Sequence, residues 1–268
     1  MPDSEKPLTI PALLAMKARG EKIATLAAYD ASFAALLDEA GIDLILVGDS
    51  LGMVAQGHAS TLPVTLDHMV YHAACVARGA RRAILAVDLP FMTYASIGTA
   101  LDSAARLVRE AGAQMVKLEG GRKRADIVRA LAEQDIPVCA HLGLLPQSVH
   151  RMGGYLAQGR DERSAQLMLE DAIILQEAGA SLLVLECIPS ALAGEITAAL
   201  AIPTIGIGAG PDCDGQILVS YDMLGITPGR RPRFSKNFLE GAGDVRAAVR
   251  SYVSEVREGK FPGPEHGF

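Results

Sequence analysis

Tryptophan is missing from these 268 residues, aromatic side chains make up only 4% of them, and cysteine occurs four times. Cys75, Cys139, Cys187 and Cys213 stand far apart with no C-x-x-C pair, which suits neither a disulfide framework nor a zinc site. Reduced thiols in a cytoplasmic protein are the simplest expectation. No run approaches about 18 consecutive apolar residues, and the opening stretch MPDSEKPLTIPALLAMKARG lacks a basic segment leading into an apolar one. Neither membrane spanning nor export is expected. Positive charge is also short, with 25 Lys and Arg against 31 Asp and Glu for a formal charge of -6. No basic cluster lies beside aromatic residues, so a nucleic-acid partner is not expected.

What is present is aliphatic. Half of the chain is hydrophobic and 21% charged, enough to bury a sizeable core and too little charge for disorder. Short aliphatic runs recur between turn residues: Ile23–Ala28, Asp43–Val47, Ala83–Val87, Met115–Leu118, Pro137–Ala140, Leu182–Leu185, Pro203–Ile207 and Ile217–Tyr221. Ala-rich stretches with helical spacing separate them, as where Met168, Ala172 and Leu175 form one apolar face. Several close on glycine, at Gly41, Gly112 and Gly179, in position to take the left-handed conformation after a helix. Strands apolar on both faces, alternating with helices eight times, predict a (β/α)8 barrel, which typically needs about 250 residues. A doubly wound open sheet is the alternative, weakened because no GxGxxG follows the first strand. The expected organisation is one domain over 1–268. It has a short N-terminal extension, a linker from Arg230, an amphipathic helix around Val245–Val256 and a mobile tail over about 258–268 that contains FPGPEHGF.

In such a barrel the chemistry sits at the carboxyl ends of the strands. Those ends carry Asp30, Asp49 with Ser50, Asp88, Lys117 with Glu119, His141, Glu186, the glycine-rich Gly206–Gly210 and Asp222. Any one acid could be a helix cap. Six at one mouth call for a balancing cation, and carboxylates without a Cys or paired-His set select a hard ion such as Mg²⁺. Lys117 and Glu119, two apart on a strand, share a face. Lys117 could be a structural ion pair, a clamp on a substrate oxygen or a Schiff-base nucleophile. Gly206–Gly210 could cradle an anion or simply allow close packing, and His58 with Gly57 makes a plausible lid segment.

The stretches VGDSLGMVAQGHASTLPVTLDHM, VDLPFMTYAS, MVKLEGG, CAHLGLLPQSV, LLVLECIP, IPTIGIGAGPDCDGQILV and FSKNF together resemble the ketopantoate hydroxymethyltransferase family, from about Thr25 to Phe238. The resemblance implies a barrel of the phosphoenolpyruvate/pyruvate type. It also implies transfer of a hydroxymethyl group from 5,10-methylenetetrahydrofolate to 3-methyl-2-oxobutanoate, through a Mg²⁺-stabilised enolate, to give 2-dehydropantoate for pantothenate synthesis. By the same resemblance Asp49, Asp88 and Glu119 form the metal environment, with one ion per subunit. Asp49, Ser50, Asp88 and Lys117 contact the oxo acid, and Glu186 is the general base. A large homo-oligomer, a decamer, is implied as well. Three rivals remain at this point: a Mg²⁺-dependent lyase of the isocitrate-lyase type, whose usual loop cysteine motif is missing here, a Schiff-base aldolase using Lys117, and a non-catalytic scaffold.

Overall fold

The computed structural model describes residues 6–229 and 231–268. The first five residues of the expected N-terminal extension, and the Arg230 start of the expected linker, lie outside them. Eight parallel strands close into a barrel in sequence order: β1 (Ile23–Ala27), β2 (Leu44–Val47), β3 (Ile84–Asp88), β4 (Met115–Glu119), β5 (Val138–Gly143), β6 (Leu182–Glu186), β7 (Thr204–Ile207) and β8 (Gly215–Val219). Every residue of β1 to β5 is buried, because strand interiors meet the barrel core on one side and helices on the other.

Local chemistry explains where the helices start and stop. Thr9, Asp30, Thr65, Ser96, Asp161 and Asp244 each sit in extended backbone and accept a hydrogen bond from an N–H of the first helical turn. Asp30 is thus a cap, bonded to Ser32 N at 2.9 Å and Phe33 N at 3.0 Å. Gly41, Gly112 and Gly179 have φ of 94°, 75° and 104°, the left-handed geometry expected after a helix. Ala172 and Leu175 are buried on the helix Glu162–Glu177, and the helix Val245–Arg257 lies close to the predicted one.

The eighth strand differs from its sequence expectation of Ile217–Tyr221: it runs from Gly215 to Val219, and Ser220 already opens a short helix. Pairing with β1 sets Ile23 opposite Gly215, where a Cβ would lie 2.3 Å from the Ile23 carbonyl oxygen. Only glycine permits that approach. Tyr252 fastens the same seam, its buried hydroxyl donating to the carbonyls of Thr25 at 2.8 Å and Gln216 at 3.0 Å. Part of the expected tail is seated on the barrel. Phe261 is buried against Phe238 and Tyr252, and the Phe268 ring lies under the Arg233 guanidinium. Phe268 also lies where a Cβ on Gly208 would fall, so the glycine-rich 206–210 stretch serves close packing here. No helix among the described residues is long and apolar enough to cross a membrane.

Candidate active site

Strand register determines which polar side chains become neighbours. Asp88 pairs with Lys117 across β3 and β4, Glu119 with His141 across β4 and β5, and Gly143 with Glu186 across β5 and β6. Four of the predicted groups, Asp49, Asp88, Lys117 and Glu119, are only 3 to 5% exposed. Lys117 Nζ lies 2.6 Å from Asp88 Oδ1, and Asp88 Oδ2 accepts the Asp49 N–H at 3.0 Å. Ser50 Oγ is 2.9 Å from Tyr29 Oη. The structure therefore brings the five residues from Asp49 to Glu119 together at one mouth, with Glu186 beside His141: the His141 Nε2 to Glu186 Oε2 distance is 3.1 Å.

Charge at this mouth is unbalanced. Three carboxylates face a single lysine, and the consequences show in their basicity. Burial, then the Asp88 charge, pushes Asp49 up to about 7. Burial, then Asp49, lifts Glu119 well above the usual carboxylate range. Glu186 is pushed up to about 8 by burial, against the attraction of Lys117. Burial works against the Lys117 charge, but Asp88, Glu119 and Asp49 outweigh it and hold the lysine more firmly protonated than usual. His141 is held neutral, its pKa far below the ordinary value through burial and then Lys117.

Two further features shape the strand end that carries Glu186. Gly143 has φ 96°, and a Cβ there would lie 2.1 Å from the Glu186 carbonyl oxygen, so β5 and β6 approach at this point only through glycine. Cys187, directly after Glu186, has φ 48°, an uncommon conformation for a residue with a Cβ. The chain turns sharply as soon as the carboxylate has been delivered.

The donor set matches a hard divalent ion. Glu119 Oε1 is buried without a hydrogen-bond partner among the described residues, with the neutral His141 ring beside it at an Nδ1 distance of 3.8 Å. As they stand, no three His, Cys, Asp or Glu side chains among the described residues are gathered tightly enough to hold a metal. Lys117 engages Asp88, and Gln147 Nε2 engages Asp49 Oδ2 at 2.8 Å. Mg²⁺ usually retains several waters and needs only one or two protein carboxylates, so the acids present still fit it.

A family model described as ketopantoate hydroxymethyltransferase matches residues 7–264. The chain belongs to this family. A relative from Methylococcus capsulatus named 3-methyl-2-oxobutanoate hydroxymethyltransferase is 65% identical over 262 residues, covering 98% of this chain and 97% of its own. One of the same name from Nitrosococcus oceani is 61% identical over 255 residues, covering 95% and 97%. The chain is accordingly an enzyme, a hydroxymethyltransferase by kinship. Solved structures show the fold alone. A 2,3-dimethylmalate lyase described as a PEP mutase/isocitrate lyase superfamily member aligns at TM-score 0.61 and 17% identity over 81% of this chain and 82% of its own. A phosphoenolpyruvate phosphomutase from Streptomyces platensis aligns at 0.60 and 14% over 81% and 83%. The barrel of this superfamily agrees with the fold expected from sequence.

Family membership sits comfortably with the strand-end residues, but the mouth contains more than they reveal. Gln147, Tyr94 and Tyr29 carry no charge at neutral pH and so do not stand out among the strand-end residues. All three lie in loops at strand ends, where no periodicity marks them, and only the LLPQSV stretch contains a hint of Gln147. Asp222 stands on the short helix after β8, and His58 is exposed in the loop after β2.

Proposed function

We propose that this enzyme transfers the methylene carbon of 5,10-methylenetetrahydrofolate to C3 of 3-methyl-2-oxobutanoate, consuming one water and giving 2-dehydropantoate and tetrahydrofolate. The observation that carries the reading is Glu186, whose side chain is 14% exposed and whose pKa is pushed up to about 8, at the same mouth as the buried Asp49, Asp88, Lys117 and Glu119 cluster. C3 of a 2-oxo acid is only weakly acidic, and a carboxylate of ordinary basicity is a poor match for it. Raising the basicity of Glu186 improves proton transfer, while the nearby positive charge favours the ionised form that can accept the proton.

Asp49, Asp88 and Glu119 are the residues to hold Mg²⁺. When bound, it supplies the positive charge that stabilises enolate oxygen. Lys117, kept protonated by three acids, acts as a charge clamp on substrate oxygen, aided by Ser50, whose hydroxyl is positioned by Tyr29. A protonated amine has no lone pair for Schiff-base formation, so the clamp is favoured over the aldolase reading. Glu186 takes the C3 proton, and C3 of the resulting enolate attacks the methylene carbon as one of its two C–N bonds to the folate breaks. Water then displaces the second folate nitrogen, leaving the hydroxymethyl group on C3 and, with both nitrogens reprotonated, tetrahydrofolate. Neutral His141 lies against Glu186, its Nε2 3.1 Å from Oε2 without a hydrogen bond between them. Buried walls limit water at this stage.

The reading extends to a cytoplasmic homodecamer acting on small molecules, with neither nucleic acid nor membrane as partner. Its test is exchange of the C3 proton of 3-methyl-2-oxobutanoate with D₂O, followed by proton NMR with tetrahydrofolate present and no methylene donor. Exchange that depends on divalent metal is expected. Exchange equally fast after chelation would refute the metal-assisted enolate.

A further inference from the structure

Gln147 lies in the turn Pro146–Ser148 after β5 and is 8% exposed. Its amide is fully engaged. Nε2 donates to Asp49 Oδ2 at 2.8 Å and to the Leu89 carbonyl at 3.0 Å, and Oε1 accepts from Tyr94 Oη at 2.5 Å. Its backbone N–H donates to Glu119 Oε2 at 3.1 Å. The orientation of the amide follows from its surroundings. A carbonyl can only accept, so the nitrogen must face Leu89, and the oxygen is left to Tyr94.

One residue of the β5 loop thus grips acids delivered by β2 and β4, while the loop after β3 holds its amide in place. Asp88 joins the same web through the Asp49 N–H. Lys117 is committed to Asp88, so Gln147 gives Asp49 a side-chain donor without adding charge. A cationic side chain at this position would compete with a divalent ion, and an apolar one would leave buried carboxylate oxygen without a donor. An amide does neither. We propose that Gln147, with its orientation set by Tyr94, is a positioning residue that holds Asp49 and Glu119 ready for the divalent cation.

This inference rests on the metal reading above, and its test reads metal binding rather than turnover. Mg²⁺ titrations by isothermal calorimetry are run on the metal-stripped wild type, Gln147→Met and Tyr94→Phe, with metal-free melting recorded for each. Loss of an outer partner of a metal ligand typically weakens affinity about 10- to 100-fold. Gln147→Met is expected in that range, and Tyr94→Phe should weaken binding several-fold while remaining folded, with a modestly lower metal-free melting temperature from the orphaned Gln147 Oε1. Tyr94→Phe preserves the ring and so tests the idea even if Gln147→Met does not fold. Binding by both variants within twofold of wild type would overturn the inference and leave the metal reading standing. A wild type that does not bind Mg²⁺ would overturn both.

Discussion

Glu186→Gln separates a catalytic base from a merely buried carboxyl, because the two roles respond to pH in opposite ways. The substitution keeps shape and removes one titration. In the metal-free protein Glu186 is raised from the ordinary range near 4.5 to about 8. At about 1.4 kcal/mol per pH unit, this corresponds to at most about 5 kcal/mol. Because the folded pKa is the higher one, the associated stability is fully present below about 4.5. It is lost as pH rises through about 8 and the buried group must ionise. Wild type and variant should therefore melt alike near pH 5, and the variant should melt higher at pH 9. A difference of a few kcal/mol would move the midpoint by about 5 to 10 °C for a chain of this size. Asp49, pushed up to about 7, adds a similar slope to both proteins and cancels in the comparison. Activity moves the other way: loss of a general base should slow C3 proton exchange by about 10² to 10⁴ above about pH 8, where the wild-type carboxylate is ionised, and by progressively less below it. Scanning calorimetry at one scan rate and NMR exchange supply the two readings. A variant that exchanges at the wild-type rate, or that melts below wild type at pH 9, would refute the reasoning.

Asp49→Ala and Asp88→Ala should each abolish metal-dependent exchange while leaving far-UV circular dichroism intact; full activity after chelation in either would remove that residue from the metal environment. Lys117→Arg should keep part of the activity that Lys117→Ala loses, since charge is retained while shape changes. An adduct trapped by borohydride at Lys117 would instead revive the Schiff-base reading. Gly143→Ala should destabilise the fold by several kcal/mol, because its Cβ would fall 2.1 Å from the Glu186 carbonyl oxygen at a φ of 96°. Urea unfolding checks this, and a loss below about 1 kcal/mol would show that the β5 to β6 approach can relax.

Much of the barrel is legible in the sequence because strands such as Leu44–Val47 and Leu182–Glu186 are aliphatic and have a polar group at or just beyond their carboxyl ends. The start of β8 is not legible. Gly215 and Gln216 read as loop by composition, and only the close backbone of Ile23 makes a glycine suitable for a strand there. Asp30 shows the opposite failure: it resembles its fellow strand-end acids, yet its carboxylate is occupied by the N–H groups of Ser32 and Phe33. Gln147 and Tyr94 are uncharged loop residues whose importance arises from contacts spanning 53 positions, which no local pattern encodes. The tail has the Pro and Gly content of a loose end, but its phenylalanines find seats at Tyr252 and Gly208.

The seam between β1 and β8, closed by Gly215 and fastened by Tyr252, gives the growing chain a particular history. Residues 23–27 leave the ribosome early, but their second hydrogen-bonding partner is not made until residues 215–219, and the tyrosine follows later still. At about 5 to 20 residues per second, β7 and β1 remain as raw edges for about one to two seconds after seven strands exist. Open edges of an aliphatic parallel sheet are templates for pairing with other chains. A nascent barrel of this kind is thus most exposed to mispairing just before it is finished, and the cell's demand for chaperones should peak at that interval.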